Sequence, residues 1–263
     1  MDHEQAVPPP RFLAEPLAAR GVEIGTGLAR CAQYNVGQAC LKPAVLLAVD
    51  GPGFDELRDA ARAEVAKTAA RTMLTPGIHD AYTGNVRRMQ DNGATRIGAG
   101  GAPAAAWEGQ SLVYEVTGEQ LLAEPAMREE VFGPFVLLVR LTGADQLREV
   151  ARGFRGQLSA SLHAEVRDHA IAQELLPILE RRTGRIVINN FSMPQEVSHA
   201  SVHTGPFPAT SDSRFTSVGM SAIERFLRPV TYQNFPDELL PESLRETNPL
   251  HVWRLVDGEL TRD

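Results

Sequence analysis

Cys40 is the residue whose type and setting best suit covalent chemistry. It follows Gly37, Gln38 and Ala39 and stands just before a short apolar run. A cysteine thiolate attacks carbonyl carbon well and can later leave, so such a residue could form and release an acyl group. A glycine upstream would let the backbone approach a substrate closely, and a main-chain N–H near Cys40 could help to hold an oxyanion. The alternative is a structural role, because buried cysteine usually behaves as a small hydrophobic residue.

The other polar combinations favour no second chemistry. Cys31 lacks the setting of Cys40 and is expected in the core. His199 and His203 are four residues apart, a spacing that on a helix would place two imidazoles on one face for a metal ion. They lie in a proline-rich segment without a third ligand, so no metal site is predicted. Serines near Asp212 could be combined with either histidine, but no Gly-x-Ser-x-Gly turn occurs, so a serine hydrolase is not expected.

Segments of strand and helix character alternate along the chain. This alternation predicts an α/β fold with a mostly parallel sheet flanked by helices. Short, nearly continuous apolar runs are typical of strands that are buried on both faces of such a sheet. We predict strands at residues 44–49, 135–139, 159–163 and 185–190. We predict helices at residues 54–72, 144–154, 168–183 and 221–227.

Two of these helices carry more specific expectations. The helix at 54–72 has an apolar face at helical spacing, which should be buried. That face is formed by Phe54, Leu57, Ala61 and Val65. Gly184 stands where a glycine would end the helix at 168–183.

Three segments resist assignment to helices or strands. Residues 96–108 are rich in Gly and Ala, and residues 193–217 carry three prolines; both are expected to be loops. Long loops without regular structure in compact domains are often functional. Residues 228–263 are expected to form an irregular tail.

The composition limits the classes of protein to consider. With 43% hydrophobic and 22% charged residues, it is ordinary for a soluble globular protein. The net charge is −7 and no basic block occurs, so nucleic acid is not an expected partner. No apolar stretch approaches the roughly 18–20 residues of a membrane span, and the polar start lacks the features of a signal peptide. Two cysteines make no disulfide framework, so a reducing, cytoplasmic compartment is expected.

Several motifs of this chain occur together in one known family. The segments Gly37-Gln38-Ala39-Cys40 and Glu129-Glu130-Val131-Phe132-Gly133-Pro134, with a proline-rich loop beyond them, resemble aldehyde dehydrogenases. Residues 196–214, EVSHASVHTGPFPATSDSR, are similar to the branch that oxidises 2,5-dioxopentanoate, also called α-ketoglutaric semialdehyde. The match continues through 222–230 and 232–236, and residues 73–79 also fit that branch. The resemblance covers nearly the whole chain and is to the C-terminal, cysteine-bearing half of the family.

The resemblance implies roles for four residues. Cys40 matches the nucleophile, which would attack an aldehyde to give a hemithioacetal and then, as hydride passes to NAD or NADP, a thioester. Glu130 and Phe132 match the positions that contact the ribose and the ring of the nicotinamide end, and a carboxylate can accept hydrogen bonds from ribose hydroxyls. Glu4 aligns with the glutamate that activates water for deacylation. The alternative for Glu4 is a mobile terminal acid.

The chain departs from the family pattern in two respects. Leu41 and Lys42 replace small polar residues beside the nucleophile, and Lys42 is expected either to favour the thiolate of Cys40 or to face water. The glycines at 25–27 and 98–101 do not make a Gly-x-Gly-x-x-Gly turn after a strand. We therefore expect the family's N-terminal Rossmann half, with its adenine site and an oxyanion-hole asparagine, to be absent from this chain.

The resemblance also implies an organisation and a function. A catalytic domain is expected at residues 1–229, with a tail at 230–263 that could make contacts in a homo-oligomer. The expected function is oxidation of a semialdehyde, 2,5-dioxopentanoate, to the acid with NAD(P) through a cysteine thioester. The alternatives are an incompetent half that needs an upstream Rossmann partner and a thioester-forming hydrolase without cofactor. Arg214 and Arg225 could pair with a substrate carboxylate, but a surface ion pair is expected for each.

Overall fold

A seven-stranded sheet forms the centre of the fold. The computed structural model describes residues 10–13 and 16–263. The strands in chain order are β1 (Pro10–Leu13), β2 (Val45–Val49), β3 (Arg71–Thr72), β4 (Thr95–Ala99), β5 (Glu108–Gly109), β6 (Leu112–Thr117), β7 (Phe135–Leu141), β8 (Gln157–His163), β9 (Thr183–Ile188), β10 (Arg254–Val256) and β11 (Glu259–Thr261). The central sheet contains β1, β2, β4 and β6 to β9, whereas β3 pairs with β5 and β10 with β11.

The central sheet is parallel except at one edge. Its strand order is β4-β6-β7-β2-β1-β8-β9, and β4 runs antiparallel to β6. The other neighbours are parallel, with Leu46 of β2 opposite Leu138 of β7. Both strands are nearly continuous apolar runs, as parallel strands covered on both faces usually are. The predicted α/β fold with a mostly parallel sheet is confirmed.

Helices cover both faces of this sheet. In the part of the chain that the structure describes, the α-helices are α1 (Pro16–Gln33), α2 (Phe54–Ala66), α3 (Pro76–Asp91), α4 (Gly118–Ala123), α5 (Ala144–Gly153) and α6 (His169–Glu180). Successive residues of a strand point to opposite faces, so Leu46 joins the core formed with α1 and α2, and Leu47 joins the core formed with α3 to α6. The predicted apolar face of α2 is buried at all four positions.

Three local predictions are wrong. The helix predicted at 54–72 ends at Ala66, and Arg71–Thr72 form β3. The helix predicted at 168–183 ends at Glu180, and Gly184 lies in β9 rather than at a helix end. A side chain on Gly184 would overlap the Thr204 carbonyl, so a glycine is needed there for close packing and not to end a helix. The segment 96–108, predicted as loop, begins with β4, in which Gly98 packs closely on Arg62 of α2.

The C-terminal part contains both the long loop and a separate unit. Residues 193–217 contain no helix or strand, as predicted. The predicted helix at 221–227 is a 3-10 helix, Met220–Phe226. The chain divides into two compact units, of which the second is Ile223–Asp263. The prediction of an irregular tail is wrong in part, because β10 and β11 form a hairpin whose turn residues Asp257 and Gly258 both have positive φ, the geometry of a tight two-residue turn.

None of the described helices combines the length and the apolar character that crossing a bilayer requires.

Candidate active site

Cys40 lies in the turn that precedes β2, and its side chain is exposed. The turn is closed by the main-chain N–H of Lys42, which donates to the Ala39 carbonyl at 3.0 Å. The main-chain N–H groups of Cys40 and Leu41 donate to no acceptor within the described residues. Unpaired N–H groups beside a nucleophile are the donors that can stabilise an oxyanion. The sulfur is therefore accessible, and hydrogen-bond donors are available next to it.

Gly37 brings the turn of Cys40 against the Glu-Glu-Val-Phe-Gly-Pro segment. Its φ is 66°, in the left-handed region that favours glycine. A side chain at this position would overlap the carbonyl of Gly133. The close approach that Gly37 permits in this structure is between two backbone segments of the protein, and the expected approach to a substrate stays a prediction.

Gln38 attaches the same turn to the start of α3. Its side-chain Oε1 accepts a hydrogen bond from the main-chain N–H of Leu74 at 2.8 Å. Its Nε2 donates to the Asn35 carbonyl at 3.2 Å. The glycine and glutamine of the motif thus position Cys40 without contacting the sulfur.

Lys42 is a buried cation, with 1% of its surface exposed. Its Nζ donates to the carbonyls of Val131 at 2.8 Å, Gly133 at 2.9 Å and Phe135 at 3.4 Å. Burial lowers the pKa of Lys42, and the nearby Glu130 carboxylate acts in the opposite direction. The expectation that Lys42 faces water is wrong, because three carbonyl groups of one turn replace the water around its ammonium group.

Glu130, predicted to contact a cofactor, is 8% exposed. Burial raises the pKa of Glu130, and the positive charge of Lys42 offsets part of that effect. Its carboxylate accepts no hydrogen bond from any described residue, and Phe132 beside it is half-buried. A buried carboxylate with free acceptor capacity fits a ligand hydroxyl group, such as a ribose hydroxyl. Cofactor contact by Glu130 and Phe132 stays a prediction.

His203 lies against Cys40. Its Nε2 is 3.4 Å from the Sγ of Cys40, although 163 residues separate the two along the chain. The main chain of His203 is held on both sides: its N–H donates to Thr216 Oγ1 at 2.8 Å, and its carbonyl accepts from Ser217 Oγ at 2.9 Å. The structure therefore forms a cysteine–histidine pair that we did not predict from the sequence.

Glycines hold the loop of His203 against the sheet. A side chain on Gly156, before β8, would overlap the Pro206 carbonyl, and one on Gly184, in β9, would overlap the Thr204 carbonyl. Gly205 in turn packs on the carbonyl of Gln157. Because these contacts are between backbones, the residues that follow His203 have little freedom to move away from the beginnings of β8 and β9.

Arg185 of β9 places a positive charge near this pair. Its Nη2 donates to the carbonyl of Ser192, and its buried Nε has no hydrogen-bond partner. Within the described residues, Arg185 forms no ion pair with an acid. Burial, and secondly the charge of Arg185, lower the pKa of His203 below its ordinary value of 6.5. His203 is therefore mostly neutral at neutral pH, the form that can accept a proton.

A pocket of about 550 Å³ opens at Cys40. Most of its wall is apolar, and Arg30 supplies a cation that is paired with Glu64 at 2.7 Å. The lining residues are Arg30, Cys31, Tyr34, Ala39, Cys40, Leu41, Met193 and Pro194. Pockets of this size and character suit small organic ligands.

The other residues singled out from the sequence lie elsewhere. Glu4, the predicted base for deacylation, lies outside the described residues. Cys31, expected in the core, is half-buried and lines the pocket of Cys40, because α1 ends beside the turn before β2. Arg214 forms the expected surface ion pair with Asp212 at 2.7 Å. Arg225 is exposed and, contrary to our expectation, forms no ion pair with any described residue.

The sequence contained a partial signal for His203. We considered it only with His199, at helical spacing, as a metal ligand. The loop has no helix, so the spacing has no meaning there, and His199 is exposed while His203 turns inward. The expectation that this loop is functional stays a prediction. Which of its residues contacts Cys40 depends on where β8 and β9 begin.

The sequence of this chain is similar to two bacterial enzymes over nearly its whole length. It is 47% identical over 244 residues to α-ketoglutaric semialdehyde dehydrogenase 2 of Azospirillum brasilense, covering 92% of this chain and 46% of that protein. It is 37% identical to α-ketoglutaric semialdehyde dehydrogenase of Acinetobacter baylyi, covering 98% of this chain and 49% of that protein. The chain thus spans about half the length of the curated relatives that it matches. No protein-family model matches the sequence.

The fold is shared with solved structures of distant sequence. A structure of PnpE in complex with nicotinamide adenine dinucleotide matches 84% of this chain and 45% of its own, with a TM-score of 0.67 and 20% identity. An aldehyde dehydrogenase from Bartonella henselae matches 77% of this chain and 42% of its own, with a TM-score of 0.60 and 19% identity. A proline utilization A structure from Bdellovibrio bacteriovorus has a TM-score of 0.69 over 84% of this chain.

Proposed function

This chain is homologous to aldehyde dehydrogenases over nearly its whole length, and we propose that it is the cysteine-bearing part of an NAD(P)-dependent enzyme. The proposed reaction is oxidation of a semialdehyde, 2,5-dioxopentanoate, to the corresponding acid through a thioester on Cys40. The substrate follows from the names of the two relatives, both of which are called α-ketoglutaric semialdehyde dehydrogenases.

The observation that carries the proposal is the setting of Cys40. Its Sγ is exposed in a pocket of about 550 Å³, an imidazole nitrogen lies at 3.4 Å, and the main-chain N–H groups beside it donate to no acceptor among the described residues. A nucleophile, donors for an oxyanion and space for a small molecule are the parts that acyl chemistry on sulfur requires. A cysteine with only a structural role would not need this combination.

The residues of the site would act in order. The sulfur of Cys40 attacks the aldehyde carbon, and the N–H groups of Cys40 and Leu41 stabilise the oxygen as it gains negative charge. The apolar walls hold the aliphatic chain of the substrate, and Arg30 at the wall can attract its carboxylate. After oxidation, water attacks the thioester carbon and the thiol leaves.

Glu130 and Phe132 would hold the nicotinamide end of the cofactor. The buried carboxylate of Glu130, free of hydrogen bonds from the described residues, would accept from ribose hydroxyls. The half-buried ring of Phe132 would pack on the cofactor. When bound, NAD or NADP supplies the hydride acceptor of the reaction.

The test is formation of NADH or NADPH by the purified chain with 2,5-dioxopentanoate. We expect turnover in the unmodified chain and in Cys31→Ala, and none in Cys40→Ala. Cys31 is the matched control because it lines the same pocket. Equal turnover in Cys40→Ala and the unmodified chain would refute a thioester on Cys40.

A second proposal is that the chain needs a further part to bind the cofactor. It is favoured by the share of the relatives that the chain matches, 46% and 49% of their lengths. A folded chain without turnover, which becomes active when the preceding half of a relative is added as a separate chain, would support this proposal. Turnover by the chain alone would exclude it.

A further inference from the structure

The Sγ of Cys40 and the Nε2 of His203 are 3.4 Å apart, which is within hydrogen-bonding distance for sulfur. The two residues come from different elements, the turn before β2 and the loop after β9. His203 is held there through its own main chain by Thr216 and Ser217, and through Gly205 by the beginning of β8. The contact is therefore a constrained feature of the fold and not a meeting of two flexible side chains.

The charges around His203 favour its neutral form. Among the described residues, the charged or titratable groups that act on its imidazole are Cys40 from the turn before β2 and Arg185 from β9. Burial and the positive charge of Arg185 both lower the pKa of His203. No described carboxylate accepts a hydrogen bond from its ring, so no described acid stabilises the protonated form of the imidazole.

We propose that His203 is the general base that takes the thiol proton of Cys40 when the sulfur attacks an electrophilic carbon. As the S–C bond forms, the S–H bond breaks and its proton moves to Nε2. With an aldehyde, the electron pair of the C=O bond moves onto the oxygen, beside the N–H groups of Cys40 and Leu41. The imidazolium then returns the proton to solvent, which leaves the base ready for another cycle.

The identity of the electrophile, an aldehyde, depends on the proposed function, whereas the proton transfer does not. Glu4 was predicted to serve a later step, the activation of water against the thioester. His203 acts before that step, on the nucleophile itself. General bases in contact with a nucleophile typically contribute about 10²–10⁴-fold to a rate.

The test is the rate at which iodoacetamide alkylates Cys40, followed by mass spectrometry of the peptide between pH 5 and 9. In this reaction the sulfur displaces iodide and loses its proton, and neither aldehyde nor cofactor is needed. An ordinary thiol becomes reactive only near its pKa of about 8.5. We expect Cys40 to stay reactive down to the lowered pKa of His203, below 6.5, and His203→Gln to alkylate at least about tenfold more slowly at pH 7.

Two further variants separate this role from a structural one. His199→Gln, an exposed histidine of the same loop, is the matched control and should alkylate at the unmodified rate. Arg185→Gln removes a charge that lowers the pKa of His203, so the low-pH loss of reactivity should shift to higher pH. A residue with only a packing role would change the rate without shifting that pH profile.

The proposal is overturned if folded His203→Gln alkylates with the rate and pH profile of the unmodified chain. If that variant does not fold, the pH profile of the unmodified chain still tests the proposal. An alkylation rate that rises only around the ordinary thiol pKa, near 8.5, would overturn it. Because the assay contains no aldehyde and no NAD(P), loss of dehydrogenase activity would not affect its outcome. A low-pH profile without turnover would count against oxidation of the aldehyde by this chain alone and would leave the proposed base intact.

Discussion

At the scale of single residues, the site depends on side chains that satisfy buried backbone groups. Lys42 supplies three hydrogen bonds to the turn that contains Val131 and Gly133, and it does so from the segment that carries Cys40. An unpaired buried carbonyl costs about 1–3 kcal/mol. One lysine therefore fixes two motifs, 89 residues apart, to each other.

Replacing Lys42 should destabilise the fold strongly. We expect Lys42→Met to lower the free energy of unfolding by about 3 kcal/mol or more, since it removes three hydrogen bonds to main-chain carbonyls and leaves Glu130 without a nearby cation. Urea unfolding at pH 7 measures this change. Lys67→Met is the control, because Lys67 is 70% exposed and its ion pair with Glu64 should contribute less than about 1 kcal/mol. Equal effects of the two substitutions would contradict the role of Lys42.

The raised pKa of Glu130 makes stability depend on pH. The carboxyl group ionises in the unfolded chain near its ordinary value of 4.5 and in the folded chain only at higher pH. Its contribution is therefore complete below pH 4.5 and is lost as the pH rises through the raised value. We expect Glu130→Gln to gain stability relative to the unmodified chain across this window, as measured by urea unfolding at several pH values. The exposed Glu129→Gln is the control for the substitution itself, and a stability difference for Glu130→Gln that stays the same at every pH would refute the prediction.

At the scale of elements, glycines decide where the loop of residues 193–217 lies. Gly156 and Gly184 allow its backbone to lie directly on the beginnings of β8 and β9, and this places His203 beside Cys40. The sequence pattern predicts a helix end at Gly184, whereas the structure places this residue in β9. Glycine is suited both to ending a helix and to allowing close packing of two backbones. Only the position of the loop shows which of these two roles Gly184 has.

A methyl group at Gly184 should therefore disturb the site. Gly184→Ala would overlap the Thr204 carbonyl, so we expect the loop to shift and alkylation of Cys40 at pH 7 to fall as it does in His203→Gln. Gly84→Ala in α3 is the matched control, because a side chain there contacts nothing within 4 Å. It should leave alkylation unchanged and stabilise the chain by about 0.5–1 kcal/mol, since glycine disfavours a helix interior. Unchanged alkylation in Gly184→Ala would show that the loop does not depend on this contact.

At the scale of the whole molecule, many large apolar side chains are exposed and lie outside the hydrophobic cores. Large apolar side chains are exposed in the unit Ile223–Asp263, with Phe226 at 81% and Leu255 at 70%. Contiguous exposed apolar surface in soluble proteins usually marks an interaction site. The expected contacts of the C-terminal tail in an oligomer stay a prediction.

The exposed apolar residues lead us to expect self-association. Sedimentation velocity between about 1 and 50 µM should show species heavier than the 28.6 kDa monomer, with a share that rises with concentration as mass action requires. Phe226→Ser, which removes an exposed aromatic ring, should lower that share, and His199→Gln should not. A single monomer species at every concentration would contradict the prediction.

The sequence by itself determined four of the seven strands of the sheet, β2, β7, β8 and β9, together with the buried face of α2 and the resemblance that carries the proposed function. These features depend on local apolar periodicity and on motifs whose residues lie next to each other. Helices α1 and α3 were not predicted, because Gly21, Gly25 and Gly84 interrupt their helical spacing. In α1, Gly21 and Gly25 pack against the backbone of Gly53 and Leu57, a contact that no local pattern reveals.

Only the tertiary structure decided which side chains meet at Cys40. The burial of Lys42 depends on the turn at Val131–Phe135, and the contact of His203 depends on a loop that follows β9, far along the chain. Hydrogen bonds and electrostatic effects act over a few ångströms in space, whatever the separation in sequence. The sequence therefore indicated Cys40 as the candidate nucleophile, whereas only the fold places His203, the base that we propose, beside it.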